Sequence, residues 1–330
     1  KSLVFKGGIS YAITSRHWIK ANVYGGRRPP PLKYIYINPR ENHNRVPGNS
    51  TEFIQSIDLS YLIRLSDLKG RLSSYYSRFQ NGTEVNFFYV DSGFGSYFVQ
   101  EVVTGLDTLL KGLEMGVEYQ ISPTTKVSLV GSVGRYEYAS DPSVSINFDT
   151  SAENGELQKT EGRIDLGQAA IKGIRLAQGP QTALSIGLEY RDPTYWWVGT
   201  TANYFADNHI DIAYIKRTPS FRIDPDTGSP FPEATEENLG KLLNQESLPS
   251  VYLLNMVGGK SWLHKGKYIS AFLSINNVFN TIFKSGGYEQ SRNGNYGQMA
   301  RDNLSGSPSF GTKYWYGFGR TFFLNLAISF

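Results

Sequence analysis

No cysteine occurs anywhere in the 330 residues. Disulfide staples, thiolate-bound zinc and thiol nucleophiles are excluded together. Long apolar runs are also missing, and none approaches the roughly 18 residues that a membrane-crossing helix requires. The mean hydropathy of −0.34 matches a water-soluble chain. It does not speak against a β-barrel, which shows hydrocarbon only every second residue. Charge of one sign is scarce as well. Lys and Arg number 33 against 29 Asp and Glu, a net of +4. No basic run exceeds the pair Arg27–Arg28, so nucleic acid is not a partner. The four histidines, His17, His43, His209 and His264, stand apart. None has a serine or carboxylate at the spacing of a nucleophile–base pair, and Gly-x-Ser-x-Gly is absent. Enzyme chemistry and a bound cofactor are not expected. The chain opens on Lys1 with no secretory leader, which reads as a processed or partial chain.

Aromatic residues are plentiful: 22 Tyr, 19 Phe and 5 Trp. They favour strands, and in barrels they gather at the membrane interfaces. The terminal stretch Arg320 to Phe330 sets the pattern. Phe322, Leu324, Leu326, Ile328 and Phe330 form one apolar row, while Thr321, Asn325, Ala327 and Ser329 form a more polar one broken by Phe323. A strand points successive side chains to opposite faces, so one face meets an apolar medium and the other meets polar groups. A soluble sheet normally charges or covers such an edge. In a transmembrane barrel, with strands of about ten residues alternating apolar-out and polar-in, this ending is expected.

Similar windows recur: Gly8 to Thr14, His17 to Tyr24, Phe53 to Leu65, Arg71 to Phe79, Leu113 to Ile121, Lys126 to Ala139, Leu184 to Tyr190, Trp196 to Ala206, Tyr252 to Trp262 and Ile269 to Asn276. With the terminal strand they predict an antiparallel meander of about eleven strands. Tight turns at Ser15–Arg16, Ser66–Lys69, Pro123–Thr125, Arg191–Tyr195 and His264–Gly266 close one end. Long polar segments, Arg27 to about Ser50, Gln80 to about Asp107, from Ala139 to about Pro180, from Ala206 to about Pro249, and about Val278 to Gly317, lie at the other. A soluble sandwich has turn signals at both ends, and a propeller needs a per-blade repeat that is missing here. One-sided loops are the outer-membrane pattern, with short periplasmic turns and long extracellular loops. An odd strand count cannot close a bacterial single-chain barrel, and bare edges are not viable in lipid. The chain therefore reads as the C-terminal half of a larger barrel.

Several segments resemble one family, the TonB-dependent receptors of the Gram-negative outer membrane. The resemblance is carried by SINNVFN (Ser274–Asn280) and by GRTFFLNLAISF at the end. YRDPTYWWVGTTANYF (Tyr190–Phe205), YLLNMVGGKSW (Tyr252–Trp262) and PSFGTKYWYGFGRTF (Pro308–Phe322) resemble the subtype with a carboxypeptidase-regulatory-like N-terminal domain. The resemblance implies an all-β transmembrane barrel of roughly 22 strands around a plug, with residues 1–330 supplying its C-terminal half. It also implies active import of a nutrient (siderophore, glycan or peptide) by the complete receptor. The plug and its TonB-coupling segment are not in this sequence. Implied partners are membrane lipid, the N-terminal barrel half and plug, TonB, the outer-membrane assembly machinery and a surface lipoprotein.

Trp18, Tyr195, Trp196, Trp197 and Trp262 flank the short turns and are candidates for an interfacial girdle. Trp196 and Trp197 must point opposite ways, so not all five can face lipid. Phe330 resembles a terminal assembly signal. Arg27, Arg28, Arg40, Arg45, Arg217, Arg222, Arg292 and Arg301 fall in predicted loops beside Tyr34, Tyr36, Tyr288 and Tyr296. Such residues suit an anionic siderophore or a stacked sugar; plain solvation is the alternative for each. Asp224-Pro-Asp226-Thr-Gly228 faintly resembles a calcium loop but has Thr235 where the bidentate Glu belongs; turn chemistry accounts for it. No metal site is expected. Thr235 to Leu243 has an N-cap threonine, early acids and helically spaced leucines, predicting a short loop helix. Two other functions share this pattern, a passive channel and a non-transporting barrel subunit of a larger complex. A soluble β-rich binding protein is the third alternative.

Overall fold

The computed structural model describes residues 3–38, 45–90, 97–147, 163–292 and 294–329. Arg40, His43 and Phe330 lie outside these residues. In chain order the strands are β1 (Val4–Thr14), β2 (His17–Arg28), β3 (Glu52–Arg64), β4 (Leu68–Val90), β5 (Tyr97–Ser122) and β6 (Thr125–Tyr138). There follow β7 (Ser143–Asn147), β8 (Arg163–Gln168), β9 (Thr182–Arg191), β10 (Trp196–Ala206), β11 (Asn208–His209) and β12 (Ser247–Leu248). The last are β13 (Val251–His264), β14 (Lys267–Asn276), β15 (Lys284–Tyr288), β16 (Lys313–Tyr316) and β17 (Thr321–Ser329). Two helices, α1 (Glu236–Leu242) and α2 (Tyr296–Leu304), sit in the last two long connections. The main sheet path is β1-β2-β3-β4-β5-β6-β9-β10-β13-β14-β17, eleven strands with every pairing antiparallel. Among the described residues β1 pairs only with β2 and β17 only with β14, so these two strands are the sheet's edges.

Register joins the apolar rows into one continuous face. A single cross-strand line runs Ile19, Tyr61, Leu72, Met115, Gly131, Leu184, Tyr204, Tyr252. A second runs Thr200, Met256, Ile275, Phe322. Because the side-chain period is two, a one-residue slip at any pairing would break the face. Most of its large side chains are exposed, with Ile186 at 58% and Leu324 at 62%. The other face carries polar ladders. The Asn22 amide donates to Asp58, and hydroxyls meet at Ser56–Ser77 (2.7 Å), Ser60–Ser73 (2.9 Å) and Ser261–Ser270 (2.9 Å). On β5 the apolar face reads Leu113, Met115, Val117, Tyr119, Ile121 and stops at Lys111, which pairs across with Arg135. The nine-residue span from Leu113 to Ile121 matches the 9–11 or so that a tilted transmembrane strand uses.

The short turns are built from backbone states that their residues favour. Lys265 (φ 50°) and Gly266 (φ 77°) both take positive φ, the two-residue hairpin that continues strand twist. Asp192 Oδ1 accepts from the Thr194 amide at 2.8 Å, an Asx turn. Opposite them, Asn277 (φ 51°) pins the last connection. Its Oδ1 accepts from Thr281 N at 2.8 Å and its Nδ2 donates to the carbonyls of Thr281 and Phe318 at 2.8 and 3.1 Å. The asparagines of SINNVFN thereby hold both ends of a long loop together.

Two consecutive connections differ from expectation. The stretch Gln80 to Asp107, expected as a loop, is the continuation of β4 and β5 into a projecting hairpin that reaches Val90 and Tyr97. Asn81 (φ 59°) and Gly105 (φ 75°) mark irregular points in this ladder rather than chain reversals. Asp107 braces the joint by accepting from Asn81 N at 3.0 Å and pairing with Arg78 at 2.9 Å. The next connection, expected as a polar loop, adds β7 and β8 to the same projection. The main core lies here, at the long-loop end, and includes Val99, Val103, Val144, Ile146, Ile171 and Ile212.

Candidate functional site

The projecting hairpin, the connection after β10 and the β15–β16 hairpin enclose a cavity of about 420 Å³. β4 contributes Glu84, Asn86 and Phe87; β5 contributes Glu101; β15 and β16 contribute Tyr288 and Trp315. The segment 211–217 is threaded between these walls. Asp211 N donates to Gly287 O at 2.8 Å, and Glu289 N donates to Asp211 O at 2.9 Å. A buried side-chain network holds the same segment from the other side. Tyr214 Oη donates to Glu84 at 3.0 Å, Ile215 N donates to Glu101 at 3.1 Å, and Asn86 Nδ2 donates to Glu101 at 3.1 Å.

Four carboxylates, Glu84, Glu101, Asp211 and Glu289, line the cavity against one guanidinium, Arg292. These groups lie beyond the Lys111–Arg135 level, outside the apolar band. Burial pushes the Glu101 carboxyl up to about 7, partly offset by the Asn86 and Ile215 donors. Burial also raises Glu84 and Asp211. Desolvation disfavours the charged form, so this wall is less anionic than its composition. The rim is aromatic. Tyr288 and Trp315 pack at a 35° tilt with centroids 5.5 Å apart, and both are exposed, as is Phe87. Polar acceptors beneath exposed rings suit a ligand with hydroxyl or amine groups and an apolar face.

The structure gathers only part of the loop set named from sequence. Tyr288 and Arg292 line the cavity, and the Arg292 guanidinium lies 4.9 Å from the Phe310 ring centroid. Arg217 is close by but inward, its side chain 3% exposed. It holds Glu289 through two bonds of 2.6 and 2.8 Å and also donates to the carbonyls of Ala213 and Leu243. Tyr296 is buried against Phe221 and Phe231. Arg222 pairs with Glu236, the first residue of α1, and Arg301 is exposed on α2. Arg27 and Arg28, expected in a loop, are the last residues of β2, paired with Phe53 and Glu52 of β3, and Tyr34 lies in the connection that follows. Arg27 lies over Phe53, Arg28 pairs with Glu52, and Tyr34 packs near Val46 and Val85 with the Lys33 ammonium 4.3 Å from its ring centroid. Tyr36 forms an isolated bridge to Arg45. Asp224 closes a turn on Gly228, and Thr235 caps α1 by accepting from Asn238 N. Glu84, Glu101, Asp211, Glu289, Phe87 and Trp315 were not legible as site residues. Trp315 alone carried a signal, as the one tryptophan away from the short turns.

At the other end the five girdle candidates divide by face. Trp196 and Trp262 continue the apolar rows, Trp196 packing on Tyr190 at 5.2 Å. Trp197 and Trp18 are on the polar face, Trp197 against Phe272 and Trp18 beneath Arg64. Tyr195 projects from its turn at φ 66°.

No family model matches the sequence, and no curated protein matches it. Solved structures do. The copper transporter OprC aligns at 14% identity and TM-score 0.55 over 97% of this chain and 38% of its own. The siderophore receptor PiuA from Acinetobacter baumannii aligns at 13% and 0.56 over 98% and 35%. The ferric yersiniabactin uptake receptor FyuA from Yersinia pestis aligns at 12% and 0.56 over 98% and 37%. The fold is that of an outer-membrane β-barrel. More narrowly, it is the barrel fold of the TonB-dependent receptors, and this chain spans between about a third and two fifths of the length of those it resembles.

Proposed function

We propose that this chain is the C-terminal half of a TonB-dependent outer-membrane importer and carries part of its extracellular nutrient site. The supporting observation is the register of the eleven-strand path, which keeps one apolar face unbroken while the long connections fold together at a single end. Apolar rows would meet lipid, the polar face would meet the plug, and the cavity beside Tyr288 and Trp315 would receive the nutrient. The upstream barrel half and plug complete the pore, TonB acts on the plug, the assembly machinery reads the strand ending at Phe330, and a surface lipoprotein covers the loops.

Among siderophore, glycan and peptide, the lining favours the last two. An anionic siderophore would meet four carboxylates, and the Arg217 charge is already taken by Glu289. Exposed, mutually tilted rings with carboxyl acceptors suit sugar hydroxyls or peptide amines. The test is binding of glycan and peptide pools to the complete receptor with Trp315→Ala and Tyr288→Ala. Each substitution should weaken capture about tenfold, the equivalent of about 1.4 kcal/mol. Unchanged capture by both variants would remove the cavity from the transport path. Growth on the nutrient that is independent of TonB would favour a passive channel instead.

A further inference from the structure

On the apolar face of β10, β13, β14 and β17 the register aligns Val198, Gly258, Leu273 and Leu324 in one line. Gly258 has no side chain, so the line dips there. Met256 and Ile275 rise on the long-loop side and Ala271 leaves the other side low. The result is an apolar groove of about 300 Å³. A buried apolar cavity of about 150 Å³ accommodates a benzene ring, so this slot has room for a longer hydrocarbon.

The groove has a charged mouth. Lys260 lines it and pairs across with Trp196. Within these four strands Lys260 is the one lysine or arginine on the apolar face apart from Lys267 at the turn itself. A lysine on a lipid-facing row is tolerated by extending its ammonium toward the interface. Lys260 does so: its Nζ lies 5.7 Å from the Trp262 ring centroid, toward the short-turn end. Charge at the interfacial end, two indoles at the same level and an apolar slot leading away reproduce the polarity of one amphiphile.

The geometry points to a phospholipid site on the outer wall. The Lys260 ammonium takes the phosphate, Trp196 and Trp262 flank the headgroup, and an acyl chain lies along Gly258 between Met256 and Leu273. This rests on the reading of the apolar face as lipid-facing. The occupant is a glycerophospholipid of the leaflet at the short-turn end, because the cation and the slot must be satisfied together. A bare hydrocarbon would leave the Lys260 ammonium with the nearby Asp192 carboxylate as counter-charge and no anion on the membrane side, and a free phosphate would leave the groove empty.

The test is native mass spectrometry of the complete receptor, delipidated in detergent and titrated with phosphatidylglycerol, with dioleoylglycerol as the phosphate-free probe. Wild type should retain one phosphatidylglycerol that Lys260→Gln holds about tenfold more weakly and that Ala271→Phe, which fills the slot, excludes. Heat-modifiable migration on SDS gels checks that each variant is an assembled barrel. A chain that stays in buffer without detergent would end the lipid-facing reading itself. An assembled barrel on which wild type and both variants retain phosphatidylglycerol equally, or which holds dioleoylglycerol as tightly, would overturn the site alone, as would a second protein copy in place of the lipid.

Discussion

At the scale of single residues, the long-loop end depends on acids that only burial makes unusual. Glu101 is 2% exposed, and its carboxyl is pushed from the ordinary 4.5 up to about 7. The folded loops therefore hold more protons than the unfolded chain between those values, so their stability falls as pH rises across that window. The loss is on the order of 3 kcal/mol. Hydrogen exchange of segment 211–217, corrected for intrinsic rates, should show weaker protection at pH 8 than at pH 5. Glu101→Gln should flatten the difference, and an unaltered slope would assign it to Glu84 or Asp211. Arg217 makes a different kind of contribution. Removing one member of a buried ion pair costs about 3–5 kcal/mol, because the partner stays buried and uncompensated. Arg217→Ala should thus open the 206–251 connection to protease, and adding Glu289→Leu should restore much of the resistance. Equal cleavage of wild type and Arg217→Ala would mean that the pair does not organise the segment.

Among the elements, strand alternation decides what a substitution costs. Leu324 lies on the apolar face and Asn325 on the other. Leu324→Arg should lose about 2–4 kcal/mol if it sits near mid-bilayer, whereas Asn325→Arg should lose far less. Urea titration in lipid vesicles measures both, and equal losses would argue against a lipid-facing row. Eleven strands and five tight turns were legible because period-two rows and turn residues are local features. The β4–β5 projection was not, because Asn81–Gly82 and Gly105 use the same residues whether the chain reverses or only bulges. Both signals are left-handed backbone; which one applies depends on whether a partner strand continues alongside. The short helix α1 was legible from its Thr235 cap and first-turn acids, again a local signature.

For the whole molecule, the two sheet edges matter most. β1 and β17 each present a row of unpaired backbone groups among the described residues, and hydrocarbon offers these nothing to bond. Under the half-barrel proposal the chain made alone should fail to enter vesicles. Made together with the upstream half, it should insert and resist SDS until heated. Insertion of the isolated chain with the same heat resistance would contradict that proposal.

The sequence alone determined the eleven strands of the main path, the side of each alternating residue and the end at which the loops gather. These follow from backbone geometry repeated every two residues. Tertiary structure decided which loop residues form a site. Glu84 and Glu101 come from strands that looked like loop, Glu289 and Trp315 from a connection far along the chain, and Arg217 turned inward to a partner 72 residues away. Burial and long-range pairing are properties of the folded ensemble of loops, and no local pattern encodes them.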